Sequence, residues 1–438
     1  MVAQLRSWWM AVNASYWFYP ALFSILAAII AFSTILIDRA GASQWLADAQ
    51  WLSPARPEGA RNILTVIAGS MIGVASTVFS ITIAAVAYAS GNYGPRLLTN
   101  FMEDRGNQLS LGTFIATFVF SVIVLRAVRG ANESSAGIEP DIAAAAGFVP
   151  QLSLALATVL AAVAIAVLVY FLNHIPSSIR INTVLEGIGA RLITQIEDRY
   201  PDRNSGAEPK ESPRGLSVLG QGRGYVQYID HEKLATLAAQ WGGRIALRLR
   251  TGDFVHPSVA LADLIGIAPN DDTDDCIRRC FALGAMRTPV QDPEFLIDEL
   301  VEIAMRALSP GINDPFTAIT AMHWLGAATA EFARRDLSSP LVDLGNNAER
   351  LFLLPDDFDH FLARGFGALR AAAATNALAA KQFLDCLASA ATLSVANRRT
   401  SIMAEGKKLV EQARLELEGP SLAELEERLL FFQKALAS

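Results

Sequence analysis

Cysteine is scarce: Cys276, Cys280 and Cys386 are the only three in 438 residues. An odd trio cannot pair completely, so no disulfide framework is implied, and a reducing compartment suits the part of the chain that carries them. Charge is scarce too, at 18% against about 25% in ordinary soluble chains. Basic charge is in deficit, with 36 Lys and Arg against 43 Asp and Glu, a net of -7 and a pI near 5.4. That balance excludes a nucleic-acid binder, which needs a basic footprint. The five histidines (His174, His231, His256, His323 and His360) are scattered, without a metal-binding spacing. There is neither a phosphate-binding Gly-x-x-x-x-Gly-Lys nor a Gly-x-Ser-x-Gly nucleophile elbow. No catalytic, metal or cofactor-binding residue is therefore assigned. What abounds is apolar surface: 52% of residues are hydrophobic and mean hydropathy is +0.32. So much apolar surface with so little charge excludes disorder and points to a bilayer.

Uncharged runs lie between Arg6 and Asp38, Arg61 and Arg96, Arg105 and Arg126, and Asp141 and His174. Each meets or exceeds the roughly 20 residues needed to cross the hydrocarbon core. They predict transmembrane helices over about 16–38, 62–92, 106–128 and 148–173, in a membrane region covering 1–175. Trp8, Trp9, Tyr16, Trp17 and Tyr19 crowd the start of the first, where amphipathic rings prefer the headgroup level. The second run is too long for one perpendicular crossing, so its helix tilts or projects beyond the bilayer. Four crossings put both termini on one side. Arginines tie: Arg6, Arg96, Arg105, Arg180 and Arg191 fall on that side, and Arg39, Arg56, Arg61, Arg126 and Arg129 on the other. The acidic third loop (Glu133, Glu139, Asp141) and the large cysteine-bearing C-terminal part favour cytoplasmic termini. The expected location is the bacterial inner membrane, multi-pass.

Beyond the fourth run, an amphipathic helix (Ile181, Leu185, Ile188, Leu192, Ile196) and a polar linker at 201–213 fill 176–215. A small β-containing subdomain is expected over 216–270, with strands at 224–229 and 244–250 and a helix at 231–240 between them. The remainder, 271–438, reads as helical, with later helices from about Phe358 to Asn397 and Leu422 to Leu436. Asp271, Asp272, Asp274 and Asp275 resemble a calcium loop, but Asp275 stands where glycine is required and Phe281 where the closing Glu should be. They are better read as acidic residues at the positive end of a helix over 273–286. Cys276 and Cys280, four apart on that helix, read as buried small residues. Asp292-Pro293 and Asp314-Pro315 each place an N-cap before a proline at the first helical position. The fold class is an α-helical integral membrane protein: four transmembrane helices, then a mostly helical cytoplasmic domain with a small β insert.

The run Ala307-Leu-Ser-Pro-Gly-Ile-Asn-Asp-Pro-Phe-Thr-Ala318, with Arg287-Thr-Pro-Val-Gln-Asp292 before it, resembles a bacterial predicted-membrane-protein family, domain-of-unknown-function family 2254. Gly94-Pro-Arg-Leu-Leu98 through Asp104, Asn107 and Gln108, Leu111-Gly-Thr-Phe114, Gly224-Tyr-Val-Gln-Tyr-Ile-Asp230 and Gly252-Asp-Phe-Val255 resemble it as well. The resemblance implies a multispanning N-terminal region and a cytoplasmic C-terminal domain, but no activity and no catalytic residue. The Ser309, Pro310, Gly311, Asn313, Asp314, Pro315 signature reads as a structural corner between two helices.

One pattern in the membrane region stands out. Thr65, Gly69, Gly73, Ser76, Ser80, Ala84, Ala87 and Gly91 recur every three or four residues along the second run. The mean period of about 3.7 keeps them on one face of a nearly straight helix. The opposite face carries Leu64, Ile67, Met71, Val78, Ile81 and Val86. Small residues let backbones approach closely, or the face lines the axis of an oligomeric pore; both can hold at once. The leading expectation is a homo-oligomer of channel or transport type, regulated by its cytoplasmic domain, with the bilayer and further copies as partners and the ion or solute unnamed. The alternative is a membrane-anchored sensor or scaffold whose cytoplasmic domain binds a ligand or protein. A third reading, an enzyme using Arg287, Asp292, Asn313 and Asp314, requires those residues to converge, and capping already accounts for both aspartates.

Overall fold

The computed structural model describes residues 12–13, 15–41, 56–94, 104–130, 148–202, 212–338, 340–342 and 345–437. Trp8 and Trp9, the acidic residues of the third loop, the 95–98 signature segment and most of the 201–213 linker lie outside these. The chain divides into two compact units, one holding Ala11–Gly91 and Pro95–Ile179, the other chiefly Arg180–Ser438.

The first unit holds four helices long and apolar enough to cross a membrane: α1 (Phe18–Arg39), α2 (Pro57–Tyr93), α3 (Arg105–Ala127) and α4 (Gln151–Ser178). At 37 residues, α2 runs about 55 Å at 1.5 Å per residue, against a core of about 30 Å. It starts five residues earlier than the charge pattern suggests, because Pro57 and Glu58 suit a first helical turn and Arg61 is carried inside the helix. There the Arg61 guanidinium donates to the Val128 carbonyl beyond the end of α3 (3.1 Å). α4 likewise continues through Pro176 to Ser178. The core is an apolar seam of Ala27, Ala31 and Ile35 of α1, Leu64, Met71 and Val78 of α2, Phe114, Phe120 and Val124 of α3, and Ala157, Ala164 and Phe171 of α4. α1 and α3 approach closely at Gly112, where a Cβ would sit 3.0 Å from the Phe23 ring.

Two carboxylates close the ends of this bundle. Asp38, buried in the last turn of α1, accepts from the amides of Leu152 and Ser153 (both 3.0 Å), two of the donors left open at the start of α4. Asp104 caps α3 through the amide of Asn107 (3.2 Å) and meets His174 Nε2, near the end of α4, at 2.9 Å.

The second unit begins with α5 (Ile181–Arg199), which buries Leu185, Ile188, Leu192 and Ile196. Strands β1 (Leu216–Leu219) and β2 (Gly224–Ile229), helix α6 (His231–Gln240), and strands β3 (Arg244–Leu247), β4 (Phe254–Val255) and β5 (Ala260–Ile265) follow. The expected strand over 244–250 is regular only as far as Leu247; the Arg248 amide still donates to the Leu261 carbonyl (3.0 Å) while its guanidinium pairs with the Asp263 carboxylate (2.7 Å).

The expected helix over 273–286 is corrected. It stops as α7 (Asp271–Arg278), with Asn270 and Thr273 forming its capping box, and Phe281–Gly284 is strand β6. Phe281 faces Ile229 and Leu283 faces Val226 on β2, so pairing with a strand distant in sequence overrides local helix propensity.

The remaining helices are α8 (Pro293–Ala307) and α9 (Pro315–Arg334), then, after strand β7 (Leu351–Phe352), α10 (Phe358–Leu362), α11 (Ala368–Ala374), α12 (Ala377–Leu393), α13 (Ala396–Ala413) and α14 (Gly419–Ala437). The helical stretch expected over 358–397 is broken at Asn376, whose side chain accepts from Leu378 and Ala379 and caps α12, and again at Ser394 and Val395, both extended. The strands form a four-stranded sheet, β1-β5-β3-β7, antiparallel except for the β3/β7 pair, and a three-stranded antiparallel sheet, β4-β2-β6. Because β6 and β7 belong to these sheets, the β structure extends beyond the 216–270 window.

Candidate functional sites

On α2 the sequence pattern becomes a geometry. Thr65, Gly69, Gly73, Ser76, Ser80, Ala84, Ala87 and Gly91 are all exposed, while Leu64, Ile67, Met71 and Val78 are buried in the bundle. Ile81 is exposed and Val86 half-buried, so the apolar face loosens toward the end of the helix. A Cβ added at Gly69, Gly73 or Gly91 would meet no atom within 4 Å. The Ser80 hydroxyl donates back to the Ser76 carbonyl (2.9 Å), which satisfies it without a neighbouring helix. This face therefore turns away from the helices of its own bundle.

The signature corner joins α8 to α9. Asn313 takes a left-handed conformation (φ 50) that asparagine tolerates, and its amide donates to the Ser309 carbonyl (2.9 Å). The Asp314 carboxylate then accepts from the Thr317 amide (3.2 Å) and hydroxyl (2.6 Å), with Pro315 in the first turn of α9.

At the opposite end of α8, Asp292 caps the Phe295 amide (3.1 Å) and pairs with Arg287 (2.6 Å). A 15-residue helix separates the two groups by about 22 Å, so Arg287 and Asp292 do not converge with Asn313 and Asp314. Arg287 also meets Asp298 (2.7 Å), and Arg364 binds Asp298 and Glu294 (both 2.7 Å), making a network of two arginines and three carboxylates. Burial pushes the Asp292 carboxyl up to about 6, against the pull of Arg287. Gly252 (φ 92) leaves room for this pair; a Cβ there would collide with the Asp292 carboxylate.

Sequence reasoning missed a cavity of about 300 Å³ where α5, the end of β2 and the segment after β3 meet. Gln195, Arg199, His231, Arg250 and Thr251 supply polar groups, and Ile229, Leu247 and Leu249 an apolar wall. Behind them Asp356 is buried and receives Tyr200 Oη (2.6 Å), Arg250 Nε (2.8 Å) and Arg199 Nη2 (3.2 Å). Burial, and then the Asp356 charge, hold the Tyr200 phenol well above its usual value. Arg199 Nη1 donates to the Gln291 carbonyl (3.2 Å), but Arg199 Nε is buried without a partner. Gln195 gives its amide hydrogen to Pro289 (2.6 Å) and leaves Oε1 buried and unpaired. Burial, then the Arg199 charge, push His231 down to about 4, so its ring is neutral at pH 7.

No group of three or more histidines, cysteines or carboxylates able to hold a metal occurs among the described residues. Cys280 donates its thiol to the Cys276 carbonyl (3.3 Å), and burial pushes the thiols of Cys280 and Cys386 up to about 12. Both are inert at neutral pH.

Comparison with known proteins follows the same outline. A family described as predicted membrane protein, DUF2254, matches residues 13–389, which takes in all four apolar helices and the Ser309–Pro315 corner. The chain belongs to the DUF2254 family. It is also similar to uncharacterised proteins of Mycobacterium bovis and Mycobacterium tuberculosis, each 31% identical over 372 residues, covering 82% of this chain and 69% of the relative. No solved structure matches it.

Proposed function

We propose that this DUF2254 protein is a homo-oligomer of the bacterial inner membrane, of channel or transport type, with both termini cytoplasmic and passage regulated by the C-terminal unit. One observation carries the reading: eight small residues on α2 are exposed while the opposite face of the same helix is buried as far as Val78. Facing lipid, such a surface offers little to pack against. Facing the same helix of another copy, it allows close backbone approach, and copies ringed around an axis would present it to the centre. No catalytic step is assigned, and the distance between the Arg287–Asp292 pair and the Asn313–Asp314 corner supports that choice. The cavity in the C-terminal unit favours a second reading, a membrane-anchored sensor that binds a ligand.

The test uses the full chain, purified in detergent and reconstituted in vesicles loaded with potassium chloride. Ser76→Leu and Ser80→Leu should keep oligomer mass but cut ion flux if the face lines a pore. If the face is only a seam between copies, the same changes should dissociate the oligomer. A wild-type protein that passes no ions under voltage, tension or pH change would sink the channel reading and leave the sensor.

A further inference from the structure

We infer that the cavity between α5, β2 and the segment after β3 is a receptor site for a small organic monoanion, a carboxylate on a compact apolar body carrying one hydrogen-bond donor. The inference does not depend on whether the α2 face conducts. Its size comes first. At about 300 Å³ it lies at the small end of ligand pockets, which suits a single ring or short chain.

Charge comes next. Arg199 and Arg250 bring two positive charges and share one carboxylate, Asp356. Arg199 also feels Asp292 of the neighbouring network, whose three carboxylates outnumber its two arginines, so the surplus on this wall is at most one positive charge, which a monoanion neutralises and a phosphate dianion overshoots. Asp198 stands at the exposed rim, where solvent screens it.

Hydrogen bonding fixes the head group. Arg199 lines the cavity and brings N–H donors on a charged group. The His231 ring also lines the cavity, and being neutral it carries one N–H. Two donors suit the two oxygens of a carboxylate. Gln195 lines the cavity as well, with its amide nitrogen already used on Pro289, so its side chain suits a hydroxyl or N–H on the ligand body. Ile229, Leu247 and Leu249 receive the apolar part, and Val290 and Leu341, 46% and 55% exposed at the cavity, would be covered by it.

The experiment measures binding to the full chain in detergent by calorimetry and thermal shift, using the three hydroxybenzoate isomers, the matching hydroxybenzamides and phenyl phosphate as probes. At least one hydroxybenzoate should bind and raise the melting temperature, with its amide weaker by about tenfold or more, because the charge-assisted bond is lost. Leu353→Trp, which fills the cavity from its half-buried wall, should abolish the response while melting like wild type. Arg199→Lys should weaken binding about tenfold; if it fails to fold, Leu353→Trp still decides. The inference is overturned if no hydroxybenzoate binds, if acid and amide bind equally, if phenyl phosphate binds more tightly, or if Leu353→Trp still responds. Equilibrium binding requires no flux, so these outcomes are independent of the pore test.

Discussion

Ser153 donates twice to one oxygen of Asp38, through its amide at 3.0 Å and its hydroxyl at 2.8 Å, while the Leu152 amide takes the other oxygen. The last turn of α1 thereby caps the first turn of α4, and a negative charge sits at the positive end of an apolar helix.

Asp38→Ala removes that cap where water cannot easily replace it. The loss should reach or exceed the upper end of the about 0.5–2 kcal/mol measured for N-caps. Asp38→Asn keeps an acceptor without the charge and should fall between. Thermal unfolding in detergent reads both, and an Asp38→Ala protein that melts like wild type would refute the capping role.

Asp314 makes the equivalent contact at the family-signature corner, but near the surface. Asp314→Ala should cost about 0.5–2 kcal/mol, and Asp314→Ser should recover most of it, since serine caps nearly as well. If both left stability unchanged but abolished a measurable activity, the corner would have to be read as a chemical site.

Gly73 and Ala75 are two residues apart on α2 and face opposite ways, one in the open and the other 4% exposed in the bundle. Ala75→Leu should destabilise the protomer by about 1–3 kcal/mol through overpacking. Gly73→Leu should leave the protomer folded and show itself only in oligomer mass or flux. Circular dichroism melts beside size-exclusion light scattering separate the two. A Gly73→Leu chain that unfolds as readily as Ala75→Leu would mean that the face has a partner within its own chain.

His231 predicts a pH dependence. Its folded value of about 4 lies below the ordinary histidine value of 6.5, so between these limits the unfolded chain binds more protons and stability falls as pH drops from about 6.5 to about 4. His231→Asn should flatten that part of the curve, by on the order of 2 kcal/mol after allowing for partial exposure. Asp292, raised to about 6, acts in the opposite sense: stability tied to it declines as pH rises from about 4 to 6. The comparison must therefore be wild type against the His231 variant at each pH, and equal acid slopes for the two would overturn the assignment.

The membrane helices were legible because their signal is local: a run of uncharged residues long enough to cross needs no knowledge of its neighbours. The two Asp-Pro caps and the exact 224–229 strand were legible for the same reason. Phe281–Gly284 was not, since a capped acidic start and an apolar continuation look helical until β2 offers Val226 and Ile229 as cross-strand neighbours. The outward direction of the α2 stripe was half legible. Periodicity gathered eight residues on one face, but only packing of Leu64, Met71 and Val78 against the other helices decides which face is free. The cavity was hidden altogether, because Arg199, His231, Arg250 and Asp356 come from four separated segments.

The parallel pairing of Ile245 with Leu351 and Ala246 with Phe352 has a consequence for synthesis. Roughly a hundred residues, including all of α8 and α9, lie between the partners, and at about 5–20 residues per second the ribosome needs several seconds to deliver the second strand. Until then β3 has one bare edge, and the cavity lacks the wall that Leu353 provides just beyond β7. Closing so large a loop carries an entropic cost that local helices do not face. The sheet is thus completed late, after the membrane helices have left the ribosome, and the nascent C-terminal unit has a defined interval in which its β3 edge is open to pairing with another chain.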